Sequence, residues 1–272
     1  MNFEDYLTKS YMSYPDTLIR EAMIYSSDGG KRFRPNIIFS IVKGFGLDEE
    51  VAYPAAAGLE YIQTASLIHD DLPGMDNDNY RRGKLSTHAK YGQGIGILTG
   101  DVMFLHSFSC IVDANYDDEL KVNLISTLAK YSGLYGMCYG QLLDLKADSK
   151  VTKEELFALQ DNKTSGLFKI ACLFAMYLAD NKDYKYFEKL GSMIGIVFQN
   201  QDDLFDIIKS EEETGKSNSD VRNDKITALS FQSIEELKES IKKQFDDLFE
   251  YLKNAPFDTK YLLDILNKMA KR

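Results

Sequence analysis

Two acidic segments carry the residue types and spacing to hold a cation. His69-Asp70-Asp71-Leu72-Pro73-Gly74-Met75-Asp76 and Gln201-Asp202-Asp203-Leu204-Phe205-Asp206 each set an Asp pair directly after an apolar helical run. Solubility alone does not require that placement. On a helix Asp202 and Asp206 are four residues apart and share a face, with Gln199 one turn earlier on the same stripe. Carboxylates held that close repel unless a cation sits between them. Hard oxygens with room for water suit magnesium, which takes one or two carboxylates plus phosphate oxygens, so the expected ligand is a metal-bridged diphosphate. In the first segment Pro73-Gly74 should end or bulge the helix and let Asp76 return towards Asp70. Other acidic pairs read differently. Asp117-Asp118 starts a helix, where carboxylates favour the dipole, and Asp246-Asp247 lies near Lys242 and Lys243 on a solvated face.

Basic residues accompany the two segments. Gly29-Gly30-Lys31-Arg32-Phe33-Arg34-Pro35 places Lys31 and Arg34 three apart at a helix entrance, where glycine permits close approach and backbone N–H groups favour anions. Arg81-Arg82-Gly83 follows the first acidic segment, so guanidinium forks can reach phosphates held by its metal ions. Singly, each basic patch is more often surface charge; in this order they reinforce one another.

The elements that position these groups should be helices. Apolar residues recur at three and four positions, period-two alternation is nearly absent, and only 5 Pro interrupt 272 residues. Sheet should be negligible. At 44% hydrophobic, with 17 Tyr and 16 Phe, the chain can bury a sizeable core. Capping-box spacings at Thr152/Glu155 and Ser233/Glu236 mark helix starts. The stretch 210–225 turns polar and reads as a mobile loop within one domain spanning 1–272, because the same helical pattern resumes after it. The net charge of −10 argues against nucleic acid or an anionic membrane surface as partner. Cys110, Cys138 and Cys172 have no ligand spacing and read as reduced core residues. The N-terminus lacks a secretory pattern, and the longest apolar stretches, such as 170–179, look too short to span a bilayer. A cytoplasmic location is expected.

The strings GGKRFRP, LEYIQTASLIHDDLPGMDNDNYRRG, GILTGD, GQLLDL, NKTSGL and FQNQDDLFD, in this order from about Gly29 to Lys225, resemble the trans-isoprenyl diphosphate synthases of the farnesyl and geranylgeranyl type. The resemblance implies an all-α fold, a single bundle of about ten or more helices around a deep central cavity, usually a homodimer. It implies several Mg2+ ions on Asp70, Asp71 and Asp76 of the first motif and Asp202, Asp203 and Asp206 of the second. Lys31, Arg34, Gln63 and Arg82 match the isopentenyl diphosphate site, and Arg81, Lys163, Lys216 and Lys225 match positions holding the allylic diphosphate. Thr164, Gln199 and Gln141 match polar positions at the reacting centre, and Lys271-Arg272 resembles a basic tail.

The implied reaction condenses isopentenyl diphosphate with dimethylallyl, geranyl or farnesyl diphosphate. Magnesium and the basic ring would neutralise the departing diphosphate, dipoles near Lys163 and Gln199 would tolerate the allylic cation, and released diphosphate would take the last proton. No side-chain nucleophile is needed, and His69 and His88, without a triad partner at a recognisable spacing, should hydrogen-bond or pack. Five residues before Asp70, about 7.5 Å down a helix, Ala65 with Ser66 leaves the cavity floor open, and Tyr61 one turn further down can replace it. Product length therefore stays open between farnesyl and geranylgeranyl. A terpene cyclase would share the first acidic motif but not the second motif together with GGKRFRP; a non-catalytic subunit of a heteromeric synthase usually loses aspartates or the isopentenyl site.

Overall fold

A computed structural model describes residues 1–146, 152–208 and 228–271. In chain order its helices are α1 (Phe3–Met12), α2 (Leu18–Ser27), α3 (Phe33–Gly44), α4 (Tyr53–Asp70), α5 (Thr87–Tyr91), α6 (Gln93–Val112) and α7 (Asp118–Ser132). They continue as α8 (Met137–Lys146), α9 (Lys153–Lys163), α10 (Ser165–Leu178), α11 (Tyr184–Ile208), α12 (Ile234–Leu252) and α13 (Lys260–Ala270). Starts coincide with side chains that accept from otherwise free N–H groups. Asn2, Thr17 and Asp117 cap α1, α2 and α7 in this way. Ser233 and Glu236 close a reciprocal capping box, and Thr152 with Glu155 exchange the same bonds ahead of α9.

The core forms around α10, where every residue from Ser165 to Met176 except Lys169 is buried. An apolar helix without a polar stripe must be covered on all sides, and α3, α4, α7 and α11 pack against it. Glycines set the closest approaches. A Cβ at Gly191 would run into the backbone of Phe168 and Lys169, and one at Gly58 would meet Ser107 O of α6. The pairing of α4 with α6 carries the first acidic motif; that of α10 with α11 carries the second.

The sheet is a single hairpin among the described residues, β1 (Tyr80–Arg81) against β2 (Lys84–Leu85). Its turn residues, Arg82 (φ 55°) and Gly83 (φ 75°), are both left-handed, the pattern of a two-residue type I′ turn. The sequence reading passed over α6 as a possible span: its 20 residues are long and apolar enough to cross a membrane by length and composition. Here one flank of it lies on α4 and α2, while Ile97, Leu98, Leu105 and Val112 stay exposed. The 210–225 segment lies outside the described residues, as do Lys216, Lys225 and Arg272.

Candidate active site

α4 ends at Asp70, and the chain then folds back: Asp76 N–H donates to Asp70 O at 2.8 Å and Asp78 N–H to Asp71 O at 3.1 Å. The Pro73-Gly74 break thus returns Asp76 to the end of the helix, as its spacing predicts. On the other side Asp202 is held by its neighbours on α11. Asn200 donates to Gln244 of α12 at 3.0 Å, and Gln201 to Met269 O of α13 at 2.9 Å.

Between these elements lies a cavity of about 690 Å3, the size of a small-molecule site. Asp70 and Asp202 both line it, with Lys31, Arg34, Gln63, Ser66, Arg81, Arg82, Gln141, Lys163, Thr164 and Gln199. Among the described residues six cationic side chains (those of Lys31, Arg32, Arg34, Arg81, Arg82 and Lys163) share the lining with the carboxylates of Glu60, Asp70 and Asp202, while Glu4, Asp71 and Asp144 pair with Arg32, Arg81 and Lys163 from outside it. In a chain of net charge −10, that concentration of positive charge marks a site for an anion. Several buried polar atoms on this wall lack partners: Arg34 Nε, Gln63 Oε1 and both amide atoms of Gln141. Such atoms carry a desolvation cost unless a ligand or water satisfies them.

Arg34, Arg82 and Lys163 are held in place. The Arg34 guanidinium lies 4.4 Å from the Phe168 ring centre and 5.8 Å from that of Phe198. Burial pushes its pKa down to about 10 against the opposing pull of Glu60 and Asp202. Arg82 donates to the carbonyls ending α2, at 3.1 Å for Ser26 and 3.3 Å for Asp28, and burial lowers its pKa. Lys163 lies 2.5 Å from Asp144 of α8, and Gly140 makes room for it, since a Cβ there would collide with the Lys163 backbone. Thr164 donates to Gln199, whose amide donates to Asp203 at 2.7 Å.

The expected metal ligands divide into two kinds. Asp71 is only 2% exposed, does not line the cavity, and accepts from Arg81 Nε at 2.9 Å and from its Nη2. Burial raises its pKa to about 6 despite that partner, whereas Asp71 and Asp78 together outweigh burial and raise that of Arg81. Asp203, 4% exposed, accepts from Gln199 and from Ala228 N–H at 3.0 Å. Both carboxylates face inward because consecutive helical residues point about 100° apart, so the second Asp of each pair orients a cavity residue. Asp76 is not on the cavity wall either, and the Asp206 side chain lies outside the described residues. Asp71→Asn should therefore keep kcat within about tenfold, while Asp70→Asn loses about 10²-fold or more; steady-state assays of the two variants side by side check the order.

Among the described residues no group of three His, Cys, Asp or Glu side chains could hold a metal ion alone. Asp70 and Asp202, lining one cavity, still fit magnesium, which completes its shell with water and substrate phosphates.

The three positions expected to set product length also separate. Ser66 lines the cavity, but Ala65 and Tyr61 are fully buried elsewhere. The Tyr61 hydroxyl bonds Ser10 Oγ at 3.0 Å and its ring meets Tyr11 edge-on, so it belongs to the packing of α1 on α4. The apolar part of the wall is instead Leu67, Phe104, Met137, Leu142, Leu145 and Leu167. Cys138, expected in the core, is exposed and on this wall. His69 Nε2 sits 3.1 Å from Ile97 O and 3.6 Å from Asp101, and His88 Nδ1 3.0 Å from Ser86 Oγ, the hydrogen-bonding roles expected of them.

Sequence reasoning missed Glu60, Arg32, Asp144 and Phe104. Glu60 had a signal: a lone carboxylate inside the apolar run of α4 must find a buried partner.

The polyprenyl synthetase family model matches residues 16–266. Farnesyl diphosphate synthase of Micrococcus luteus is 37% identical over 240 residues, covering 86% of this chain and 82% of that protein. Geranylgeranyl diphosphate synthase of Cyanophora paradoxa is 40% identical over 241 residues, covering 86% and 80%. The crystal structure of a geranyltransferase from Helicobacter pylori, complexed with magnesium and isoprenyl diphosphate, superposes with a TM-score of 0.90 at 27% identity over 99% of this chain and 94% of that one.

Proposed function

The chain belongs to the polyprenyl synthetase family, and from that premise we propose that it is a short-chain trans-prenyltransferase lengthening an allylic diphosphate with isopentenyl diphosphate. The carrying observation is that Asp70 and Asp202, from motifs 132 residues apart in sequence, line one cavity rich in cations. We take the chain as one domain, since its core cluster runs from Phe3 to Met269.

Asp70 and Asp202 would hold magnesium, which when bound would supply positive charge to the leaving diphosphate. Lys163 and Arg81 add donors to the same oxygens; Arg81 keeps Nη1 for this while Nε and Nη2 stay on Asp71. Lys31, Arg34, Gln63 and Arg82 bind isopentenyl diphosphate, whose oxygens accept from Arg34 Nε. Thr164, Gln199 and Gln141 turn dipoles towards the carbon left when the allylic C–O bond breaks. The isopentenyl double bond then attacks that carbon, and the released diphosphate takes the proton that restores neutrality. The apolar wall shields the cation from water. Lys216, Lys225 and the Asp206 side chain, which match family positions for the allylic diphosphate and the second metal motif, lie outside the described residues.

We further propose a cytoplasmic homodimer, in which a second copy covers the exposed Ile97, Leu98, Leu105 and Val112 of α6. Light scattering at twice 30.9 kDa is the expected result.

Purified protein incubated with labelled isopentenyl diphosphate, geranyl diphosphate and magnesium should give farnesyl or geranylgeranyl diphosphate. Cyclised hydrocarbon without extension, or activity only with an added partner chain, would overturn the assignment.

A further inference from the structure

Arg32 stands between Lys31 and Arg34 but is occupied twice over. Its Nη1 donates to Glu60 Oε1 at 2.6 Å, while Nε and Nη2 grip both oxygens of Glu4 at 2.8 and 3.1 Å. Its backbone is left-handed, φ 51°, at the residue that starts α3, a conformation that costs a non-glycine residue free energy unless its surroundings hold it there. Glu60 is 3% exposed, lies on the cavity wall one helical turn before Gln63, and is also close enough to act on Arg34 and Arg82. Gly30 has no room for a side chain: a Cβ would strike Arg32 Nη1 and come within 3.3 Å of Arg82 Nη1.

We propose that Glu60 and Arg32 are a pair of positioning residues that fix the turn carrying Lys31 and Arg34 and so shape the isopentenyl diphosphate half of the cavity without touching substrate. The bidentate clasp on Glu4 extends the same chain of charges to α1, anchoring the turn from two helices. The proposal rests on the functional reading above for the identity of the ligand.

Two physical effects of removing Glu60 oppose each other. Loss of a negative charge beside the cavity strengthens its field and should tighten binding of a diphosphate. Loss of the bond from Arg32 Nη1 leaves the left-handed turn anchored through Glu4 alone, which loosens Lys31 and Arg34 and should weaken binding, and of one substrate only. The sign of the change therefore distinguishes position from charge.

The test uses the full-length protein and its Glu60→Gln, Arg32→Met and double variants, with Gly30→Ala as an independent disturbance of the same turn. Glu60→Gln keeps volume and one acceptor, so folding is expected to survive; if its melting curve is lost, Gly30→Ala and Arg32→Lys carry the comparison. Calorimetric titration with isopentenyl diphosphate and steady-state kinetics are both measured. Expected are a rise of about tenfold in the dissociation constant and KM for isopentenyl diphosphate, with kcat and the allylic KM within about threefold, and a double variant no worse than the worse single one. Tighter or unchanged binding of isopentenyl diphosphate, an equal loss for both substrates, or additive single effects overturns the proposal. Binding without turnover by the unmodified protein would sink the enzymatic reading while leaving the pair tested; no binding at all would sink both.

Discussion

Asp202→Ala is expected to lower kcat by about 10³-fold, roughly 4 kcal/mol of transition-state stabilisation, while shifting Tm by less than about 3 °C. The two numbers separate because of where the carboxylate sits. Asp202 is partly exposed on the cavity wall, and the neighbours that hold its helix, Asn200, Gln201 and Asp203, keep their own bonds to Gln244, Met269 and Ala228 when it is removed. A charge that assists departure of a diphosphate acts mainly in the transition state, so kcat and kcat/KM should fall together. Near-normal turnover would remove Asp202 from the reaction, and a large drop in Tm would make it a structural residue.

Ser66→Phe is expected to convert the main product to one shorter by at least one five-carbon unit. Ser66 lines the cavity one turn before Asp70, as does Phe104 of α6, and a phenyl ring there fills space that the growing tail needs. Ala65→Phe, by contrast, should give little folded protein. Ala65 has no exposed surface and lies in the packed core, and inserting a ring into such a site costs about 1–3 kcal/mol or more. Chromatography of dephosphorylated products from Ser66→Phe, together with melting curves of both variants, decides the matter. Unchanged chain length in Ser66→Phe would put the floor elsewhere, and a stable, short-product Ala65→Phe would restore that residue to the wall.

This pair shows where sequence reading succeeds and where it stops. Helix starts at Thr152, Ser233 and Asp117 were legible because capping is local: a side chain meets N–H groups two or three residues away. The return of Asp76 to Asp70 was legible for the same reason, through Pro73 and Gly74. The cavity-facing cations were legible through family resemblance, and Lys31, Arg34, Arg81, Arg82 and Lys163 line one cavity. Facing direction was not. Asp70 and Asp71 are adjacent and chemically identical, and only the hairpin that brings Arg81 against Asp71 separates ligand from buried partner. Ala65 and Ser66 differ in the same way, since α4 is apolar enough on all sides that periodicity does not say which neighbour each residue meets. Asp144, 19 positions from Lys163 and on a different helix, is a tertiary pairing with no local signature.

The charge partition described above also governs how substrate arrives. With a net charge of −10 over the chain and the cations gathered on the cavity wall, a diphosphate approaching from bulk solution meets repulsion first and attraction only at the mouth. Ionic screening acts on the outer field, over a Debye length of about 8–10 Å near physiological strength, more than on contacts inside. Moderate neutral salt should therefore raise kcat/KM, by about two- to threefold between roughly 10 and 150 mM, before higher concentrations erode binding. A steady decline from the lowest salt would mean that the mouth, not the acidic exterior, already sets the encounter rate.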